Sequence, residues 1–275
     1  MKTSHTAAAV FRRRVTLLCA LVALMLLTNG CVYWPREIRQ PITTSWSPVS
    51  DERQATLIVF LPGRGDTLHD FERKGMIEEL RRAGVRADWV SVDAHLGYYR
   101  DRSVVTRLRE DVIEPARAQG YRRIIVVGVS LGGLGGLLIE REERGLIDGL
   151  VLLAPYLGDD KKLFAEIRAQ GGPAAWARAH PAENEAIAHT LWTYLGKEYT
   201  HLPPTWLAYG ETDWLVEGHR LLAPLLPADR VKVIAGGHDW KTWRVLWREL
   251  CANTDLFPTN GTVAHGAASE SSIVK

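Results

Sequence analysis

A serine framed by glycines is the part of this sequence that could carry chemistry. Residues 128–132 read Gly-Val-Ser-Leu-Gly, which places Ser130 at the centre of a G-x-S-x-G motif. The motif follows an apolar run and opens a segment rich in glycine and leucine, so we expect a strand, a tight turn and a helix in that order. A serine on such a turn can act as a nucleophile if an imidazole accepts its proton. The alternative interpretation is a close-packed glycine turn whose serine caps the helix.

Short apolar runs recur along the chain on both sides of this motif. Most of them lack polar alternation and end at Pro, Gly or Asp, which is typical of strands buried on both faces of a parallel sheet. Lys232 indicates that the last run lies nearer an edge. The runs are Thr56–Leu61, Asp88–Val92, Arg123–Val127, Gly149–Leu153, Thr205–Tyr209 and Val231–Ile234.

Segments with helical spacing separate these runs. In the last segment, apolar residues lie at positions i, i+3, i+4 and i+7, namely Trp243, Leu246, Trp247 and Leu250. The alternation predicts an α/β fold with a mostly parallel central sheet flanked by helices. Residues 158–203 break the rhythm, because they hold helical pieces and no convincing strand, and they predict a small helical cap insertion.

The motif in this setting resembles the α/β-hydrolase superfamily, over roughly residues 55–252. In that family the nucleophile, the acid and the base follow one another along the chain, so the resemblance implies Ser130 as the nucleophile. The segment 209–216 is similar to the family's G-x-x-D-x-x-V pattern and implies Asp213 as the acid. His238 lies between the last apolar run and the last helical pattern, which implies that it is the base.

Two other carboxylates compete for the role of the acid. Glu211 falls earlier on the turn than the family's acid, and Asp239 adjoins His238 too closely to reach its ring easily. Loop position and chain order favour Asp213.

The resemblance also implies an oxyanion hole made of two backbone N–H groups. One belongs to Leu131, directly after the nucleophile. The other is assigned to Arg64, in the loop 61–65, which is similar to the family's H-G-x-G loop with Pro62 where His is common.

Three further side chains are candidates for substrate binding. His95 and Tyr98 follow the second apolar run, and in this superfamily that loop borders the active site. Trp214 is a candidate for an aromatic-lined substrate pocket. Simple packing is the alternative interpretation for all three.

The resemblance implies a serine hydrolase that cleaves a carboxylic ester through an acyl-serine intermediate, with a thioester or an amide as other possible bonds. The substrate would be a small-molecule or lipid acyl compound. Two alternatives stay open, since fold and triad do not select the reaction. One is a non-catalytic binding protein on the same scaffold, and the other is an acyltransferase that uses an alcohol or a glycan in place of water.

Residues 1–30 predict a signal peptide. Arg12-Arg13-Arg14 precedes an apolar run from Val15 to Leu27, which is too short to span a bilayer comfortably. The segment that follows resembles a bacterial lipoprotein processing site and implies lipidation of Cys31, although Thr28 and Asn29 depart from the usual pattern. We therefore expect a lipid-anchored protein of the cell envelope, at the outer membrane or in the periplasm of a diderm bacterium. Ordinary secretion and an uncleaved anchor are the alternatives.

The composition sets the domain boundaries and excludes several classes of protein. Residues 31–54 are rich in Pro and Ser/Thr and predict a tether, residues 55–255 the hydrolase-like domain, and residues 256–275 a disordered tail. Cys251 is predicted to be a buried thiol, or a disulfide partner of Cys31 if that residue is not acylated.

The 275 residues are 46% apolar and 24% charged, which excludes disordered, fibrous and multi-pass membrane proteins. Beyond residue 30 the chain carries two more acidic than basic residues, so no nucleic-acid partner is expected. The sequence contains no metal-ligand spacing and no dinucleotide fingerprint, and we expect neither a metal nor a cofactor.

Overall fold

The computed structural model describes residues 13–14, 36–48, 53–180, 186–253 and 256–257. The chain divides into two compact units, Met1–Glu37 and Ile38–Lys275. In the first unit, the described residues are 13–14, which are helical and exposed, and 36–37. Cys31, and the predicted signal peptide of residues 1–30 apart from residues 13–14, lie outside the described residues.

A seven-stranded sheet forms the centre of the second unit. Its strands are β1 (Thr44–Ser47), β2 (Thr56–Leu61), β3 (Asp88–Val92), β4 (Arg123–Val129), β5 (Gly149–Leu153), β6 (Thr205–Gly210) and β7 (Val231–Ile234). Their order is β1-β3-β2-β4-β5-β6-β7, with β1 antiparallel to β3 and the other pairs parallel. This architecture confirms the predicted fold class, and all six apolar runs are strands.

Burial explains why these strands could be predicted from the sequence. β2, β3, β5 and β6 are buried along their whole length, and β4 is buried from Ile124 onward. Strands covered on both faces read as continuous apolar sequence. β7 is half-exposed, as expected from Lys232, and it lies at the edge of the described sheet.

Strand β1 corrects the predicted tether of residues 31–54. It pairs with β3 over its four residues, with Thr44 opposite Val92 and Ser47 opposite Trp89. Ile42, two residues before it, is buried in the core. The folded domain therefore begins before residue 55. The strand escaped prediction because an edge strand that is short and polar lacks an apolar run.

Helices connect the strands. Those before the Ser130 motif are α1 (Asp70–Arg73), α2 (Met76–Arg82), α3 (Leu96–Arg100), α4 (Val104–Leu108) and α5 (Glu114–Ala118), with a π-helical segment, Arg109–Ile113, between α4 and α5. Those after it are α6 (Leu131–Glu142), α7 (Lys161–Ala169), α8 (Pro173–Ala179), α9 (Ile187–Glu198), α10 (Val216–Leu222) and α11 (Trp240–Cys251). The four residues of the predicted apolar stripe on α11 are buried.

Residues 158–203 contain α7, α8, α9 and the 3₁₀ turn Tyr199–His201, and no strand lies among the residues described in this segment. The insertion packs on α10, where a Cβ added to Gly218 would lie 3.4 Å from the ring of Phe164. The indole N–H of Trp192 donates to the Leu157 carbonyl over 3.0 Å, which joins α9 to the segment after β5.

The carboxyl end of the domain extends past the predicted boundary at residue 255. Leu256 and Phe257 are fully buried, and the ring of Phe257 lies 5.5 Å from that of Trp247. Residues 258–275 of the predicted tail lie outside the described residues. Cys251 is a free, buried thiol at the end of α11. None of the helices within the described residues combines the length and the hydropathy that a membrane span requires.

Candidate active site

Ser130 occupies a strained turn between β4 and α6. Its φ is 50° and its ψ is −110°, a conformation that costs a non-glycine residue about 1–3 kcal/mol. Backbone hydrogen bonds hold it there: its N–H donates to Leu153 over 2.9 Å, and its carbonyl accepts from Tyr156 over 2.8 Å. The turn is therefore fixed by the neighbouring strand β5 and the residues after it.

Steric contacts explain why both glycines of the motif lack a side chain. A Cβ on Gly128 would lie 2.2 Å from the carbonyl oxygen of Gly132, and a Cβ on Gly132 would lie 2.1 Å from that of Leu61. Any side chain at either position would collide with backbone. The motif thus allows β4, α6 and β2 to approach closely around Ser130.

Three side chains from three separate loops meet in one hydrogen-bonded chain. His238 Nε2 lies 2.9 Å from Ser130 Oγ, and His238 Nδ1 lies 2.8 Å from Asp213 Oδ2. The carboxylate accepts the Nδ1 proton, which leaves Nε2 free to accept the hydroxyl hydrogen. Asp213 and Ser130 are buried, and the His238 side chain is 10% exposed. This arrangement can transfer a proton from serine to imidazole.

Asp213 is itself held by a local turn after β6. Its second carboxylate oxygen accepts the N–H of Leu215 over 2.8 Å. The rival Asp239 has another partner, because its carboxylate accepts the N–H of Thr242 over 2.9 Å and caps α11. The rival Glu211 is exposed. Of the three carboxylates, Asp213 is the one placed on the imidazole.

The two loops that carry Asp213 and His238 are fastened to each other. Thr212 donates to the carbonyl of Gly236 through its N–H, over 3.0 Å, and through its hydroxyl, over 2.8 Å. A Cβ on Gly210 would lie 2.3 Å from that same carbonyl oxygen. The distance between the acid and the base is therefore set by backbone contacts.

The two N–H groups of the predicted oxyanion hole lie on segments that flank Ser130. Leu131 is the first residue of α6, and the first N–H groups of a helix have no acceptor within it. Gly63 lies beside the nucleophile, since a Cβ there would be 3.5 Å from Ser130 Cβ, and Arg64 follows it on an exposed turn. Asp66 stabilises this loop by accepting the indole N–H of Trp240, on α11, over 3.1 Å.

A protein-family model matches residues 58–270 of this sequence, and its description is the alpha/beta hydrolase family. That match covers well over half of the chain. The chain belongs to the alpha/beta hydrolase family. No curated protein sequence matches it.

Solved structures are similar to this alpha/beta hydrolase in fold. A ferulic acid esterase is 14% identical with a TM-score of 0.52, and the match covers 75% of this chain and 86% of the esterase. The monoacylglycerol lipase of Paleococcus ferrophilus is 15% identical with a TM-score of 0.50, and the coverage is 77% and 98%. An esterase of Pyrobaculum calidifontis is 16% identical with a TM-score of 0.50, and the coverage is 82% and 87%. At this identity the likeness shows the fold.

The imidazole of His238 contacts two indole rings. Trp214 contacts it with ring centres 5.1 Å apart, and Trp243 contacts it at 4.9 Å with the planes at 89°. Trp243 was predicted only as part of the apolar stripe of α11. His238 therefore has aromatic packing contacts in addition to its hydrogen bonds to Ser130 and Asp213.

His95 and Tyr98 have structural contacts. His95 Nδ1 accepts the N–H of Gly97 over 3.1 Å and so caps α3. The Tyr98 hydroxyl donates to the carbonyl of Arg39 and accepts its N–H, each over 3.0 Å. These contacts stabilise α3 and the segment before β1, and they favour packing, the alternative to the predicted role in substrate binding.

His219 is a buried residue near the site that the sequence did not reveal. It is fully buried on α10, and its Nε2 lies 2.9 Å from the carbonyl oxygen of Pro155. Burial lowers the pKa of its imidazole to about 4, so the ring is neutral at pH 7 and Nε2 carries the donated hydrogen. No motif surrounds it, and only the fold brings it next to the segment that follows β5.

Several polar side chains around the site have hydrogen-bond partners, whereas the buried Nδ1 of His219 has none among the described residues. Asp213 is bound to His238 and Leu215, Asp66 to Trp240, and His219 to Pro155. Across the part of the chain that the structure describes, no group of three His, Cys, Asp or Glu side chains is arranged to hold a metal ion.

Proposed function

We propose that this protein is a serine hydrolase that cleaves a carboxylic ester through an acyl-Ser130 intermediate. The observation that carries the proposal is the hydrogen-bonded chain from Ser130 through His238 to Asp213, with distances of 2.9 and 2.8 Å. It begins at a serine held at φ 50°. Structural neighbours described as esterases and as a lipase agree with this reaction class.

The geometry supports general base catalysis by His238. Its Nε2 accepts the Ser130 proton as Oγ attacks the ester carbonyl carbon, and the resulting imidazolium gives that proton to the departing alcohol. Asp213 fixes the tautomer of the imidazole and stabilises its positive charge. Water then attacks the acyl-enzyme by the same route and releases the carboxylic acid.

The negative charge that develops on the carbonyl oxygen needs donors that are already in place. The N–H groups of Leu131 and Arg64 are our candidates, because they lie on the two segments that flank Ser130. One such donor contributes about 3 kcal/mol to transition-state stabilisation in serine hydrolases.

Labelling with a fluorophosphonate tests the proposal. The probe reacts with an activated serine, so wild-type protein should be labelled, whereas Ser130→Ala and His238→Ala should not. His201→Ala is the matched control, since this histidine is exposed in the 3₁₀ turn Tyr199–His201, and it should label like wild type. Circular dichroism of each variant verifies folding.

Each outcome assigns the protein to a class. Absence of labelling in folded wild type rejects the hydrolase and favours a binding protein on the same scaffold. Labelling with slow ester hydrolysis that yields a new ester when an alcohol is added rejects water as the acceptor and indicates an acyltransferase. Labelling with hydrolysis, unaffected by the alcohol, supports the proposal.

We also infer that the protein is exported and held at the cell envelope by a lipid on Cys31. The support is the sequence alone: three consecutive arginines, an apolar run and a processing-site-like segment that ends at Cys31. A small-molecule or lipid acyl substrate of the envelope would then be within reach. The mass of the mature N-terminus tests this, with Cys31→Ser as the control that should lose the lipid.

A further inference from the structure

Among the residues that the structure describes, the imidazole of His238 has one exposed aromatic neighbour. Trp243 is only 4% exposed, and its ring packs 5.3 Å from that of Trp240, so it belongs to the interior. Trp214 is 67% exposed while its ring centre lies 5.1 Å from that of His238. Of the two indoles beside His238, Trp214 is therefore the one that a bound molecule can contact.

Trp214 is carried by the same turn as Asp213. The N–H of Asp213 donates to Gly210 over 3.1 Å, and the carbonyl of Asp213 accepts from Val216 over 3.0 Å. The Asp213 carboxylate accepts the N–H of Leu215 over 2.8 Å. These bonds lie on both sides of Trp214 along the chain, so its backbone cannot shift without displacing the acid. The backbone that carries the indole is thus held in place together with the acid.

The chemistry determines which part of a substrate meets this surface. The departing oxygen receives its proton from His238 Nε2 and must lie within hydrogen-bond distance of it. The substituent on that oxygen then extends past the imidazole, while the carbonyl oxygen points to the N–H groups of Leu131 and Arg64. An aromatic ring beside His238 therefore contacts the alcohol part of an ester.

We propose that Trp214 forms the leaving-group subsite and that the preferred substrates are esters of alcohols with an aromatic or extended apolar substituent. The inference rests on the proposed function and names the substrate class of the same site. Ser130 Oγ forms a bond to the carbonyl carbon, the bond from that carbon to the alcohol oxygen breaks, and the Ser130 proton leaves on the alcohol through His238. An indole face attracts flat and apolar groups by stacking and by burial of surface.

Benzyl and ethyl esters of the same acids test the subsite, because the two alcohols differ chiefly in the aromatic ring. Acetate, butanoate and octanoate esters would all be measured, so that acyl length does not limit the comparison. Wild type should have the higher kcat/KM for the benzyl ester of its best acid. Trp214→Ala should lower the benzyl-to-ethyl ratio of kcat/KM by about tenfold, and Trp214→Phe should keep most of it.

Val245→Ala is the matched control, since it removes an exposed apolar side chain elsewhere, on α11, and should leave the ratio unchanged. An equal fall for both esters in Trp214→Ala would overturn the proposal, because Trp214 would then act only by packing on His238. A labelled wild type without preference for benzyl esters would overturn it too.

Fluorophosphonate labelling of each variant separates this proposal from the proposed function. A labelled wild type whose ester ratio does not respond to Trp214→Ala rejects the subsite alone. A wild type that is neither labelled nor active rejects the hydrolase and the subsite together.

Discussion

His219 binds the carbonyl oxygen of Pro155 through Nε2 over 2.9 Å. The next residue, Tyr156, donates its N–H to the carbonyl of Ser130 over 2.8 Å. The imidazole therefore supports the segment that holds the nucleophile turn. Its effect reaches Ser130 through Pro155 and Tyr156 and not by direct contact. We regard His219 as a positioning residue for Ser130.

Replacement of His219 tests that role. His219→Phe should leave the buried Pro155 carbonyl unpaired and destabilise the protein by about 1–3 kcal/mol. It should also lower kcat more than it raises KM, because the turn of Ser130 loses a support. His219→Gln retains a donor near the position of Nε2 and should recover much of the loss. Equal kinetic constants in His219→Phe and wild type would contradict the positioning role.

The same imidazole makes stability depend on pH. Its pKa is lowered from 6.5 to about 4 by burial, so between these values the unfolded chain binds a proton that the folded protein does not. Stability contributed in this way rises with pH and is lost as pH falls below 6.5. From pH 7 to pH 4, the free energy of unfolding of wild type should fall by up to about 3 kcal/mol more than that of His219→Gln. Urea unfolding at both pH values measures the difference.

The assignment of the acid can be tested by comparing the three carboxylates. Asp213→Asn should lower kcat by about 10⁴-fold, because the amide no longer stabilises the imidazolium or the required tautomer. Glu211→Gln should have little effect on kcat. Asp239→Ala should cost about 1 kcal/mol of stability through the lost cap of α11, with kcat largely kept. A loss of activity in Asp239→Ala comparable to that in Asp213→Asn would contradict the assignment.

Gly210 tests the contact between the acid and base loops. In Gly210→Ala, the new methyl group would lie 2.3 Å from the Gly236 oxygen, so the loop that carries His238 must move. We expect a loss of about 2 kcal/mol in stability and at least a tenfold loss in kcat. Gly149→Ala, in the neighbouring strand, meets its nearest atom at 3.5 Å and should be tolerated.

A buried carboxylate joins α2 to α11. Glu79, with a side chain only 1% exposed, accepts hydrogen bonds of 3.0 Å from Arg244 and from Arg248. The bond from Arg248 is the main reason that its pKa lies below the ordinary value of 4.5. Because the folded protein favours the ionised form, this contribution is present above that value and is lost as pH falls through the lowered pKa.

Glu79→Gln should therefore lower stability at pH 7 by about 2 kcal/mol, since hydrogen bonds to a charged group are replaced by bonds to a neutral one. The gap between wild type and variant should narrow as the pH is reduced below 4.5. Thermal unfolding across this range checks both statements, and a gap that widens in acid would contradict them. Glu78→Gln, at an exposed neighbour, is the control.

What the sequence could predict follows from what its local patterns encode. The buried strands could be predicted because a strand covered on both faces, such as β5, must be apolar throughout. Strand β1 could not be predicted, because a polar edge strand has the composition of a linker. Leu256 and Phe257 are buried at the start of the predicted tail, where their apolar character stands alone in a Thr- and Gly-rich stretch.

The site divides in the same way. The residues of the proposed triad could be predicted because a motif and a chain order mark them. The role of His219 and the contact between Asp66 and Trp240 could not be predicted. Asp66 and Trp240 are 174 positions apart, and neither residue lies in a pattern. Such contacts are created by the fold and leave no local signal in the chain.

The link between Thr212 and Gly236 has a consequence for protein engineering. The turn with Asp213 and the loop with His238 share backbone hydrogen bonds, so they form a single structural unit and not two independent loops. An exchange of residues 211–216 for those of a relative would bring a foreign turn against the original residues 234–238. Loop grafting in this protein should therefore transfer both segments together. The strand–helix junction at Ser130 can be exchanged or kept independently of them.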